Sequence, residues 1–228
     1  MQPSIRNIVI VHGAFADASG WEAAYHLLRA KGFNVTLVQN PTTTLKADVD
    51  ATIAALDRQD GPAVLVGHSW GGTVITEAGV HEKVKSLVYV AAFVPDAGES
   101  TLDLVQSAPL LEVNGILPPD EKGLVYLDKE KFNATFATGQ SEEKSDFMYD
   151  AQIPLTVTAF TDKVSHATWK QKPSYALFPM DDGTINPVLE HRMYERAGCA
   201  VTEVTGGHTF FMNNPDAVVS VILKAANA

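Results

Sequence analysis

Short apolar runs rich in β-branched residues alternate with helix-patterned segments along this chain, and that rhythm restricts its fold more than any other feature. Residues 8–11, 63–66 and 87–91 are continuous apolar runs, suited to strands buried on both faces. Residues 35–38 form a further strand-like run. Between them the period changes. Ser19 and Glu22 have the spacing of a capping box for a helix with Trp21, Tyr25 and Leu28 on one face, and Gly32 stands where that helix should end. Leu45, Val49, Ile53 and Leu56 share one face of a second helix, and a third starts near Trp70. Strands alternating with helices imply an α/β fold: a mostly parallel sheet with helices on both faces, its site along one edge of strand ends.

The rhythm breaks at about Pro95 and returns near residue 173. The expected organisation is one core built from residues 1–94 and 173–228, interrupted by a mainly helical insertion over 95–172. In the second half, residues 175–178 and 201–204 read as strands. Asn186–Pro187 and Asn214–Pro215 each pair an N-cap with a first-turn proline. Leu189, Met193 and Ala197 give the first of these helices its inner face before Gly198, and Val218, Val221 and Ile222 give the last one its own.

Bulk properties narrow the function. The 228 residues are 46% hydrophobic and 19% charged, which suits a globular chain with a sizeable core. The formal charge is -10 and no Lys/Arg cluster exists, so nucleic acid is not an expected partner. The longest apolar run, residues 87–94, is far too short to span a membrane. Cys199 is the lone cysteine, which fits a reducing, cytoplasmic setting, and the strand-like run reached by Ile8 leaves little room for a signal peptide. No histidine–carboxylate or Cys–His spacing suits a metal, and neither metal nor cofactor is expected.

The chemistry concentrates in three loops. Gly67-His68-Ser69-Trp70-Gly71 matches G-x-S-x-G and lies directly between a strand-like run and a helix-compatible segment. That context is what a nucleophile elbow needs: a sharp turn that exposes Ser69, glycines where chains pass closely, and a helix N-terminus facing developing negative charge. His12-Gly13-Ala14 follows the first strand, where the amides of Ala14 and Trp70 can form a two-donor oxyanion hole; the His12 side chain reads as structural. His208, in Gly206-Gly207-His208-Thr209 after the last strand, falls on the same edge and suits the general base. His26, His81, His166 and His191 sit in polar or helical contexts and read as surface residues. Asp181 and Asp182 both follow the strand at 175–178, and either can supply the acid that orients the base. Gly13, Phe15 and Phe210 flank these loops as candidate pocket residues, and Phe132, Phe136, Phe147, Met148 and Phe160 of the insertion are further candidates.

Residues 11–21, the Gly67–Gly72 motif and the Gly206–His208 loop resemble a group of small bacterial α/β-hydrolases related to plant methyl-ester esterases and hydroxynitrile lyases. The likeness covers about residues 5–95 and 172–224 and is weak in the insertion. It implies a six-stranded parallel sheet lacking the superfamily's first two strands, with a cap over the site. It also implies the acid, through an Asp-x-x-Ile/Val pattern that Asp182-Gly183-Thr184-Ile185 matches. The expected activity is hydrolysis of a small or medium apolar ester by Ser69, His208 and Asp182. The alternatives are a carbon–carbon lyase and a non-catalytic ligand-binding protein. The related plant lyases carry a threonine and a lysine where this chain has Gly13 and Thr209, and both departures favour ester hydrolysis.

Overall fold

The computed structural model describes residues 5–227; the outermost residues of both core halves, 1–4 and 228, lie outside them. In chain order the elements are β1 (Asn7–Val11), α1 (Glu22–Ala30), β2 (Asn34–Val38), α2 (Leu45–Asp57), β3 (Ala63–Ser69), α3 (Trp70–Ala78), β4 (Val84–Ala92), α4 (Thr101–Gln106), β5 (Leu124–Val125), α5 (Lys129–Thr135), α6 (Glu142–Asp150), β6 (Leu155–Thr156), α7 (Val157–Thr161), β7 (Ser174–Pro179), α8 (Pro187–Arg196), β8 (Ala200–Val204), α9 (Phe210–Asn213) and α10 (Pro215–Ala226).

Six strands form one sheet in the order β2-β1-β3-β4-β7-β8, with every neighbouring pair parallel. The period-two geometry of a strand explains the uniform apolar runs. In β1, Val9 and Val11 join the core that includes Leu56, Val74 and Ile75 from α2 and α3. Ile8 and Ile10 join the opposite core, with Leu28 of α1 and Val221 and Ile222 of α10. Both faces are thus covered, and the edge strands β2 and β8 carry the more exposed residues. Strand order reverses between β1 and β3, so their C-terminal ends open the crevice where such sheets place a site.

Between β4 and β7 lie α4–α7 and a short antiparallel ribbon, β5 with β6, which the sequence pattern did not indicate. This segment extends the α2/α3-side core, into which Phe132, Phe136 and Leu155 are buried.

One local expectation is corrected. Ser19 does not form a capping box with Glu22. Asp17 caps a 3-10 turn over Ala18–Trp21 by accepting from the Ser19 amide at 2.8 Å, and α1 then continues from Trp21 without a side-chain cap. The extra turn uses the polar residues that the simpler reading gave to the α-helix itself. Asn186 and Asn214 do cap α8 and α10, accepting from Val188 at 2.8 Å and Ala217 at 3.3 Å.

Candidate active site

Ser69 ends β3 and stands at the N-cap of α3, with φ 52° and ψ -120°. This left-handed backbone costs a non-glycine residue roughly 1–3 kcal/mol, so its surroundings must hold it. They do so by backbone contact. A Cβ on Gly67 would stand 2.5 Å from the Gly71 carbonyl oxygen, one on Gly71 2.5 Å from that of Val11, and one on Gly72 2.2 Å from that of Phe93. Gly71 and Gly72 are therefore required by close passage of the ends of β1 and β4, and Gly67 by the motif's own turn folding back on it. Trp70 opens α3, so its amide belongs to the first helical turn, whose N–H groups have no intrahelical acceptor.

His208 lies between β8 and α9. Its Nδ1–H donates to Asp182 Oδ2 at 2.7 Å, and both side chains are fully buried. The other carboxylate oxygen of Asp182 accepts from the amides of Thr184 at 2.7 Å and Ile185 at 2.9 Å. Asp181, the competing candidate, is exposed and reaches only the Gly206 amide, at 3.4 Å. His208 Nε2 is buried without a hydrogen-bond partner among the described residues, so no bond to Ser69 Oγ is made in this state. Such bonds are commonly loose until substrate arrives.

Ser69, Ala14, Phe15 and Trp70 are among the residues that line a cavity of about 170 Å³. The rest of its wall is mainly apolar and comes largely from the segment between β4 and β7 and from Ile185 and Leu189. Phe15 has φ 61°, and its amide donates to the Ile153 carbonyl at 3.0 Å. The segment between β4 and β7 thereby occupies the Phe15 amide donor.

Two pocket expectations need correction. Phe210 lines neither of the two cavities that Phe15 lines; it is buried in the core on the α1/α10 side, because α9 turns it beneath the His208 loop. Gly13 does not open the pocket. A Cβ there would press on Ser69 Cβ at 2.8 Å and His68 Nδ1 at 2.9 Å, so its role is to let the β1 loop approach the serine. Of the insertion aromatics, Phe160 lines the main cavity and Phe132 is core.

Three buried polar residues escaped the sequence reading. Asp48 on α2 accepts from Trp70 Nε1 at 2.7 Å and from the Thr42 amide at 2.7 Å; burial pushes its carboxyl above the usual range. His68 Nε2–H donates to the His208 carbonyl at 3.0 Å, and burial holds its imidazole well below the ordinary value, favouring the neutral ring. Glu190 on α8 accepts from the Tyr194 hydroxyl at 2.7 Å, and that hydroxyl accepts from the Ala92 amide at 2.8 Å. Burial first, and the Asp182 charge second, raise Glu190 well above the carboxylate range. The signal for Asp48 was its place on the inner face of α2, in register with Leu45 and Thr52. The His12 side chain is structural: it accepts from the Asn40 amide at 3.2 Å and donates to Gly13 O at 2.7 Å. Of the four histidines expected at the surface, His26, His166 and His191 are exposed, and His81 is partly covered.

No group of three or more His, Cys, Asp or Glu side chains among the described residues is arranged to hold a metal ion, and no described helix is long and apolar enough to cross a membrane.

Comparison with known proteins agrees with this architecture. The model of the alpha/beta hydrolase family matches residues 8–221. The probable hydrolase R7 of Phoma sp. is 33% identical across 87% of this chain and 85% of its own length. The alpha/beta hydrolase nvfD of Aspergillus novofumigatus is 26% identical across 96% of both chains. The crystal structure of polyneuridine aldehyde esterase superposes with a TM-score of 0.79 over 96% of this chain and 98% of its own, at 19% identity, and speaks for the fold alone.

Proposed function

Because this chain belongs to the alpha/beta hydrolase family, we propose that it is a serine hydrolase that cleaves small or medium apolar carboxylic esters through Ser69, His208 and Asp182. The observation that carries this reading is the pairing of a serine held at φ 52° on a cavity wall with a fully buried His208–Asp182 hydrogen bond of 2.7 Å.

In the proposed cycle His208 Nε2 takes the Ser69 hydroxyl proton as Oγ attacks the ester carbonyl. The amides of Ala14 and Trp70 receive the oxyanion; in other enzymes the loss of one such donor costs about 3–4 kcal/mol of barrier. Collapse expels the alcohol with the proton from His208. Water, deprotonated by the same nitrogen, then releases the acid and restores Ser69. Asp182 holds the Nδ1–H tautomer and stabilises the imidazolium. Burial first, and the Asp182 charge second, favour the neutral form of the Glu190 carboxyl, which disfavours a second buried anion near Asp182. The apolar wall of the main cavity favours an uncharged acyl chain.

Nitrophenyl esters of graded acyl length test the reading. Turnover that disappears in Ser69→Ala supports it. Ser69-dependent cyanide release from mandelonitrile with negligible ester turnover would replace it with lyase chemistry on the same residues.

A further inference from the structure

Helix α8 leaves the turn that holds Asp182, and two of its side chains meet backbone amides at and just beyond the end of β4. The Tyr194 hydroxyl accepts from the Ala92 amide at 2.8 Å, and Met193 Sδ accepts from the Val94 amide at 3.4 Å. The ladder between β4 and β7 stops at Val90 and Leu177, so no strand acceptor serves these amides on that side. On the other side β4 carries a bulge. His68 pairs with Val90 but Ser69 pairs with Ala92, which makes Ala91 an extra residue, and its φ is 45°. Phe93 then donates its amide to the Ser69 carbonyl at 3.2 Å. Two non-glycine residues with left-handed backbone, Ser69 and Ala91, thus stand on adjacent strands at one bulge. Such conformations persist only where the surroundings over-determine them.

Tyr194 and Glu190 are both buried, and neither lines the main cavity. The Tyr194 hydroxyl donates to Glu190 Oε1 at 2.7 Å, which turns its lone pairs toward the Ala92 amide. Burial pushes that hydroxyl well above its ordinary value, so it keeps the proton it donates. Glu190 Oε2 has no hydrogen-bond partner among the described residues. Burying a carboxyl with one oxygen unmet costs stability. What Glu190 supplies is therefore the direction of the Tyr194 O–H bond. We infer that Tyr194, directed by Glu190, is a positioning residue for the nucleophile: it holds the β4 bulge against which the strained Ser69 turn is set. Because α8 starts from the turn whose Ile185 amide binds Asp182, one helix links the placement of the serine to that of the acid. The consequence for catalysis rests on the hydrolase reading above.

Tyr194→Phe removes one oxygen and keeps the ring. With nitrophenyl butanoate it should lower kcat about tenfold and leave KM within about twofold, since the cavity wall is untouched. Glu190→Gln still offers Tyr194 a neutral acceptor and should keep kcat. Glu190→Leu offers none and should fall as far as Tyr194→Phe, and the double variant Tyr194→Phe/Glu190→Leu no further than either. A purely structural role would lower the denaturant midpoint of Tyr194→Phe and leave the kcat of the folded protein unchanged. That result, or Glu190→Gln falling as far as Glu190→Leu, overturns the proposal. Backbone amide cross-peaks give an arm that needs no turnover. In 15N-labelled Tyr194→Phe, the amides of Ser69 and Trp70 should shift along with those of Ala92 and Phe93; shifts confined to Ala92 contradict the positioning role. Absence of all ester turnover in the wild type defeats the hydrolase reading, and the cross-peaks then decide by themselves whether Tyr194 sets the Ser69 turn.

Discussion

The loops carrying Ser69 and His208 and the segment facing them, residues 95–172, are built on opposite principles. Around Ser69 the fold is fixed by backbone against backbone: a single added carbon on Gly67, Gly71 or Gly72 collides with a carbonyl group. In the facing segment, helices of five to nine residues are tied down by side chains such as Phe132, Phe136 and Leu155 entering a shared core. Backbone contacts admit glycine alone, whereas side-chain packing accepts many residues of similar volume. The difference places the proposed bond-breaking chemistry where substitution is least tolerated and substrate choice where it is most tolerated.

Substitutions on either side can sharpen or break that contrast. The largest effect belongs to the buried carboxylate. Asp182→Asn should lower kcat by about 10⁴, as the equivalent change does in a related triad, while exposed Asp181→Asn stays near wild type. Steady-state kinetics of both variants check this, and a crippled Asp181→Asn with an active Asp182→Asn would move the acid by one residue. Next comes Gly72→Ala, whose new carbon would meet the Phe93 carbonyl oxygen at 2.2 Å. It should cost about 2–3 kcal/mol or more of stability in denaturant unfolding, and a neutral result would undo the backbone-contact account of the motif.

A smaller effect of opposite sign is expected at Glu190. Its proton is held more tightly in the folded chain, so its contribution to stability is full below the ordinary value of 4.5 and declines as pH rises toward the raised native value. Glu190→Gln removes that titration. The variant should melt a few degrees higher than wild type at pH 7–8, with the gain vanishing as pH falls toward 4.5; a constant difference at all pH values would contradict the assignment. The smallest effect lies across the cavity. Leu110 is 80% exposed yet lines the main cavity. Leu110→Ala should change stability by less than about 0.5 kcal/mol but raise KM severalfold for longer acyl chains, and unaltered KM values along an acyl series would remove Leu110 from the pocket.

The same contrast explains what the sequence made legible. The buried strands β1, β3 and β4 announce themselves as unbroken apolar runs because both faces are covered, and the glycines around Ser69 record close passages directly. The His208 loop was placed by topology alone. Asp182 needed the family resemblance, because its distinction from Asp181 is one of burial, which neighbouring residues of the same type do not reveal. Asp48 and Glu190 were hidden for a related reason: a carboxylate on the inner face of a helix reads as a break in the apolar stripe until its partners, Trp70 and Tyr194, are in view. Phe210 was misplaced because chain proximity to His208 does not fix the direction in which α9 turns its side chains.

The proposal stands most directly on Ser69 as the nucleophile, and covalent labelling addresses it without any knowledge of the natural ester. A fluorophosphonate should abolish turnover in proportion to a single adduct, located by peptide mass spectrometry on Ser69. Complete inactivation with the adduct elsewhere, or full modification of Ser69 with turnover intact, would contradict it.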